Sequence, residues 1–243
     1  MKIVAAITKR ELKKYFYSPI AYTVVFFFLA FASFLTFKSN FFEYEQSDLR
    51  IFFNQLPLLF IVLCPSVGMS LWAEERKTGT IELLFSLPVT VVQSILGKYI
   101  AAWIFLGFAL FFSFPFVFTV NYLGHPDNVV ILAGYFGSFL LAGSYLSMAI
   151  LFSVMTKSQV ISFVTSVISC AIFSYIDYPS IQRMLELILP DQLIEITSYF
   201  GFISHYESIM RGVISLTDIA FYCVIGVGML SIAGLLLTAR KVD

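Results

Sequence analysis

Residues 129–155 read VVILAGYFGSFLLAGSYLSMAILFSVM, 27 residues without an Asp, Glu, Lys or Arg. As an α-helix rising ~1.5 Å per residue, such a stretch is roughly 40 Å long, and the hydrocarbon core of a bilayer is ~30 Å thick. A lone helix satisfies its own backbone N–H and C=O groups in lipid, whereas a lone strand leaves them unpaired. The stretch therefore reads as a transmembrane helix, and the rest of the chain has to be read in that light.

Working outward, further apolar runs occupy 20–37, 51–71, 95–120, 160–176 and 219–238. The second is interrupted by Pro57, Pro65 and Gly68, the third carries Pro115 near its far end, and 160–176 is the shortest. The expectation is an all-α polytopic membrane protein with six transmembrane helices in a single transmembrane domain, 1–243. Composition agrees: 59% of the residues are hydrophobic and 12% charged, where a soluble domain carries about 25% charged. The alternating segments of about ten residues that mark a membrane β-barrel are absent. Ala30-Phe31-Ala32 has the small-x-small form of a signal-peptide cleavage site, but the apolar run continues to Phe37, so a retained span is expected.

With six spans both termini share a side. That side collects 11 of the 15 Lys and Arg but only 5 of the 15 Asp and Glu. An excess of Lys and Arg orients a membrane protein with that side in the cytoplasm, and the expected location is a bacterial cytoplasmic (inner) membrane. Residues 1–19 place Ile3, Val4, Ile7, Leu12, Tyr15 and Phe16 on one side of a helical wheel, with Lys2, Lys9, Arg10 and Lys13 opposite. This predicts an interfacial helix with its bases near anionic lipid, broken by Ser18-Pro19 before the first span. Residues 38–50 form an outer loop with Glu43, Glu45 and Asp48, and 156–159 a tight inner turn. The outer connection 178–218 predicts two short helices. One carries Ile181, Met184, Leu185 and Ile188 at helical spacing and ends at Pro190; the other opens with Ser204 and Glu207 as an S-x-x-E capping box and runs to about Val213.

Charges inside a membrane usually mark function, and no Asp, Glu, Lys or Arg falls near the middle of any run. Lys98, one turn into the third, is expected to snorkel to the surface. A proton-coupled pump, a voltage sensor and an intramembrane protease are all disfavoured by this pattern. Gly97-Lys98 lacks the earlier glycine and the following Ser or Thr of a phosphate-binding loop, so this chain is not expected to be an enzyme or to hydrolyse nucleotide. Cys64, Cys170 and Cys223 lie within apolar runs and read as small apolar side chains, with no metal or disulfide implied. His125 and His205 read as polar loop residues. Ser158, Ser162, Ser166, Cys170 and Ser174 recur every fourth residue on the fifth run, a small-residue stripe that serves either packing within the subunit or a seam between subunits.

The inner loop between the second and third runs, residues 72–98, reads WAEERKTGTIELLFSLPVTVVQSILGK. It turns at Gly79. Residues 80–87 can form a short helix with Leu83, Leu84 and Leu87 on one side, stopped by Pro88. Such a helix at the membrane face is either a docking knob for a soluble partner or a plain re-entry segment. Here Glu74, Glu75, Gly79, Thr80, Glu82, Leu83, Leu87, Pro88, Val89, Gly97 and Lys98 follow the E-x(n)-G-T-x-E-x-L-x(n)-P-V pattern, with a following GK, of the ABC-2 type transporter permeases. The chain resembles that family there, and two further segments are similar to its gliding-motility and copper-enzyme-maturation branch. They are Arg10-Glu11-Leu12 with Tyr15-Phe16 and 18–22, and 204–208 followed by Arg211, Gly212, Val213 and Ile214.

The resemblance implies a permease subunit of an ATP-driven exporter that pairs with a second permease copy and with ABC ATPase subunits on separate chains. ATP and Mg would sit on those partners and no cofactor on this chain. The loop after the second span would be the coupling helix, residues 72–94 the coupling loop, and the first and fifth spans the dimer seam. Aromatic content and outer helices fit an amphipathic or lipid-linked cargo, and no nucleic-acid partner is expected. A membrane scaffold and a membrane-embedded enzyme are the alternatives.

Overall fold

The computed structural model describes residues 2–38, 49–81, 89–186, 190, 194, 197 and 199–242, with side chains to 239. Among these residues there is no strand. The helices are α1 (Lys2–Tyr17), α2 (Pro19–Lys38), α3 (Arg50–Gly68), α4 (Ser70–Thr78), α5 (Val91–Phe111), α6 (Pro115–Leu123), α7 (Asn128–Met155), α8 (Gln159–Tyr175), α9 (Pro179–Glu186), α10 (Phe202–Met210) and α11 (Leu216–Val242). Five stretches are long and apolar enough to cross a bilayer: Pro19–Lys38, Arg50–Thr78, Val91–Leu123, Asn128–Met155 and Leu216–Ala239. Among the described residues a sixth span is reached only by α8 and α9 taken together, since the 17 residues of α8 lie at the short end of what a bilayer requires. After α8 the chain turns by 89° into α9.

Local chemistry explains the helix ends. Asp127 caps α7, its carboxylate accepting from Val129 N at 2.9 Å and Val130 N at 3.4 Å. Thr90 and Gln93 form a reciprocal capping box that opens α5. The third span is longer than 95–120 and is broken within. Proline lacks an N–H and its ring collides with the carbonyl four residues back, so Pro115 starts α6 after a tight turn. There Ser113 Oγ donates to Leu110 O at 2.6 Å. Pro57 and Pro65 do not end α3, and the second span runs on through α4 to Thr78 instead of stopping at 71.

The bundle is built around α7, the most deeply buried span, which touches α3, α4, α5, α8, α10 and α11. Small residues let the neighbours come close. A Cβ added at Gly134 would lie 2.7 Å from the Phe53 ring, at Gly137 2.9 Å from Ile209, and at Gly143 2.8 Å from Trp103. The helix α1 is packed on protein as well as amphipathic. It lies along α5, with Thr8 Oγ1 donating to Gly97 O at 3.1 Å and Tyr15 stacked on Phe105 at 4.8 Å.

The small-residue stripe on α8 packs within the chain. Ser162, Ser166, Cys170 and Ser174 are fully buried, facing α7 and α3. Ser174 shares a hydrogen bond with Tyr145 of α7, and Ser158 is the N-cap of α8. Of the two readings of this stripe, packing within the subunit accounts for the four buried positions, while Ser158 is half-buried at the helix start. The outward face of α8 is Val160, Val164, Ile168 and Ile172.

The same substitution should have opposite signs at two glycines. Gly68→Ala puts a Cβ 2.6 Å from that of Ala149 and should cost ~1–3 kcal/mol by overpacking. Gly228→Ala meets nothing within 4 Å and should gain up to ~1 kcal/mol of helix propensity. Thermal unfolding of the detergent-solubilised chain would show the two midpoints moving apart.

Candidate functional site

The α3–α4 junction lies within the second span, one helix before the loop that begins at Gly79. Met69 sits between the helices, its N–H donating to Pro65 O at 2.8 Å. Breaking a helix frees backbone groups that must find partners when buried. Ser153 of α7 supplies them: its hydroxyl donates to Met69 O at 2.9 Å and accepts from Trp72 N at 3.1 Å and Ala73 N at 3.0 Å. Arg76 donates from the next turn to Val154 O.

Lys98 reaches the same junction from α5. It is 1% exposed, so it does not snorkel to the surface as its position suggested. Its Nζ donates to Leu71 O at 2.6 Å and forms an ion pair with Glu75 Oε2 at 2.6 Å, over the Trp72 ring at 4.1 Å. An ammonium removed from water needs such partners. A carbonyl, a carboxylate and an aromatic face together replace its hydration.

The third contributor is α1. Tyr15 donates its hydroxyl to Val67 O at 3.3 Å. Desolvation, reinforced by the Glu11 carboxylate, holds its phenol far above the usual range, so it remains a donor. Lys14 pairs with Glu74 at 3.6 Å, and the buried Glu11 takes Arg10 at 2.7 Å. A cavity of about 280 Å³ lies among α1, α2, α3 and α4, with Glu11, Lys14, Ser70 and Glu74 in its wall.

Of the loop residues picked out by the sequence, Glu74 and Glu75 both turn toward the membrane domain. Gly79 ends α4 in the left-handed region at φ 74°, which glycine adopts without strain. Thr80 Oγ1 lies 3.0 Å from Thr78 Oγ1. Glu82, Leu83, Leu84, Leu87 and Pro88 lie outside the described residues, as do Glu43, Glu45 and Asp48 of the outer loop and Ile188. The loop therefore departs from a glycine cap and returns through the Thr90 capping box.

At the opposite end, the predicted capping box is corrected. Helix α10 starts at Phe202, so Ser204 is already inside it, and its hydroxyl donates to Gly201 O at 3.0 Å. The cap comes from Asp177, whose carboxylate accepts from Ser204 N at 3.2 Å. An acidic group beside a helix N-terminus also suits the helix dipole. Glu207 and Arg211 pair on the surface at 3.5 Å. The helix ends at Met210, short of Val213, and Gly212 turns the chain at φ 84°. His205 is not a loop residue: it is buried in α10, with Nδ1 2.7 Å from Asp218 Oδ1 and Nε2 3.2 Å from Tyr199 O. Its ring stacks on Phe221 at 4.1 Å.

Ser153 was not singled out by sequence; Glu11, Tyr15 and His205 were, but not their contacts at the junction or with Asp218. Lys98 had a legible signal, since it shares a face with Ile95, Ala102 and Phe105, all buried. Among the described residues, no three His, Cys, Asp or Glu converge on a metal-sized site. No family model matches the chain, and no curated protein sequence does.

Removing one partner of a buried ion pair strands the other. Lys98→Met should therefore cost ~3–5 kcal/mol in detergent unfolding, and adding Glu75→Leu in the same chain should recover most of it. A loss below ~1 kcal/mol for Lys98→Met, typical of an exposed pair, would mean that the lysine reaches water.

Proposed function

We propose that this integral membrane protein is the membrane-spanning permease subunit of an ATP-driven exporter of the ABC-2 type, energised by an ABC ATPase on a separate chain. The supporting observation is the way the root of the inner loop is fastened. The helix α4 is tied to α5 through Lys98, to α7 through Ser153 and the Val154 carbonyl, and to α1 through Lys14. A soluble motor pressing on residues 80–88 would act on several spans at once. ATP and Mg belong to that motor, and the chain supplies the path.

In this reading both termini and the loop lie in the cytoplasm of a bacterial cell, on the side that holds 11 of the 15 Lys and Arg. A second permease copy completes the path. Its seam uses the outward apolar faces of the first and fifth spans, Phe27, Phe31 and Phe34 on α2 and Val164, Ile168 and Ile172 on α8, all exposed in the single chain. The cargo is amphipathic or lipid-linked.

The tagged chain, extracted from its native cells in mild detergent, should co-purify with a soluble chain bearing a phosphate-binding loop. Replacing residues 80–88 by a Gly/Ser linker should abolish that partner while insertion persists. Glu82→Ala and Pro88→Ala should keep the partner but slow its chain-stimulated ATP hydrolysis. A chain that purifies alone in several detergents would overturn the exporter reading in favour of a scaffold or a membrane-embedded enzyme.

A further inference from the structure

Two of the α1 lysines that the sequence places near anionic lipid have no partner in the protein contacts described above. Lys9 and Lys13 stand one helical turn apart and are exposed. Among the described residues neither forms an ion pair, whereas Arg10 is matched to Glu11, Lys14 to Glu74 and Lys98 to Glu75. Both line a groove of about 930 Å³ between α1 and the first turns of α5. The rest of its wall is largely apolar, including Val4, Leu12 and Phe16 of α1 and Ile100 of α5.

The groove's position and length narrow its occupant. The helix α1 leads through Ser18 directly into the span α2, and Gln93 and Ile100 belong to the start of a span, so the groove opens where the bundle enters the membrane. Residues 4–17 of its wall extend over roughly 20 Å of helix at ~1.5 Å per residue. One leaflet's acyl chain covers about 15 Å, half of a ~30 Å core. A free phosphate would satisfy the lysines and leave the apolar wall wet. An apolar partner helix would cover the wall and leave two cations unmatched. A molecule with an anionic head and a hydrocarbon tail satisfies both, and the bilayer supplies it at high local concentration.

We infer that this groove is a seat for one anionic phospholipid, its acyl chain along Leu12, Phe16 and Ile100 and its phosphate between Lys9 and Lys13. The seat rests on the membrane reading alone and stands whether or not the chain is an exporter. Occupancy would brace α1 on α5 through a second set of contacts beside those of Thr8 and Tyr15.

The test is native mass spectrometry of the purified full chain in detergent, titrated with phosphatidylglycerol or with phosphatidylcholine of the same acyl chains. Two lysines near one phosphate should favour phosphatidylglycerol by roughly tenfold, and added salt should shrink that preference. Lys9→Gln with Lys13→Gln should abolish the preference. Ala5→Phe, which fills the groove with both lysines intact, should weaken both lipids. Lys77→Gln with Lys157→Gln removes the same charge elsewhere and should change nothing. Three results would overturn the seat: equal loss in the Lys77/Lys157 variant, unchanged phosphatidylglycerol binding in Ala5→Phe, or displacement of the lipid by millimolar inorganic phosphate. Loss of a co-purifying soluble chain from the Lys9/Lys13 variant, with lipid preference retained, would instead mark a protein-docking surface and also overturn it.

Discussion

Close approach to one central helix is the constraint on which the other packing depends. Lipid tails are as apolar as leucine, so burying apolar surface does not by itself hold one helix against another in a membrane; fit and hydrogen bonding do. The helix α7 answers with notches. Gly134 receives Phe53, Gly137 receives Ile209, and Gly143 receives Trp103. At 3.6 residues per turn, Gly143 lies about half a turn round from Gly134. Notches on opposite sides let α3 and α10 dock on one flank and α5 on the other. A helix with large side chains all round would hold these neighbours farther away and lose the contacts that give the bundle one arrangement.

Hydrogen bonds at the same helix then fix depth and rotation. Ser138 meets the Tyr206 hydroxyl at 2.8 Å, and that hydroxyl also donates to Phe53 O at 3.2 Å, joining α7, α10 and α3. Ser144 donates to Tyr222 O at 3.2 Å on α11. Inter-helix bonds of this kind contribute ~0.6 kcal/mol on average in membranes, so none alone decides stability. Ser153 differs, because it serves three backbone groups that the α3–α4 break leaves free, and a buried group without a partner costs ~1–3 kcal/mol. The Lys98–Glu75 pair differs again. Desolvation cancels much of its attraction, and loss of either partner alone leaves a buried charge unmatched.

What the sequence made legible was local. Six apolar runs, the Ser18-Pro19 boundary and the short outer helices depend on hydropathy and on residues within a turn of one another. Pro115 broke its span as its chemistry requires, while Pro57 and Pro65 were absorbed by α3. What sequence could not supply was rotation about each helix axis. Lys98 was read as snorkelling because its neighbours in space, Leu71 and Glu75, sit more than 20 positions away on another element. His205 looked like a loop residue because Asp218 belongs to a different helix. The Ser162–Ser174 stripe was periodic, yet periodicity does not say whether a face meets a partner chain or its own. The small residues of 133–153 were a richer signal of the same kind, and they mark the true centre of the bundle.

The junction also determines how a displacement of the inner loop would travel. The break at Met69 hands the backbone groups it frees to Ser153, so α4 is fastened to α7 as well as to its own span. Lys98 adds α5. Moving α4 alone would expose an unpaired ammonium and several unpaired backbone groups to apolar surroundings, each costly. Moving α4 together with α5 and α7 breaks none of these bonds. The lower-energy motion is therefore collective, with α4, α5 and α7 shifting as one body. Strain then falls on the elements bound more loosely to that body, foremost α2, which packs on α3 through contacts such as Phe28 on Phe60 and otherwise presents exposed phenylalanines. In the proposed exporter this division would supply a rigid input arm and an outer span free to yield.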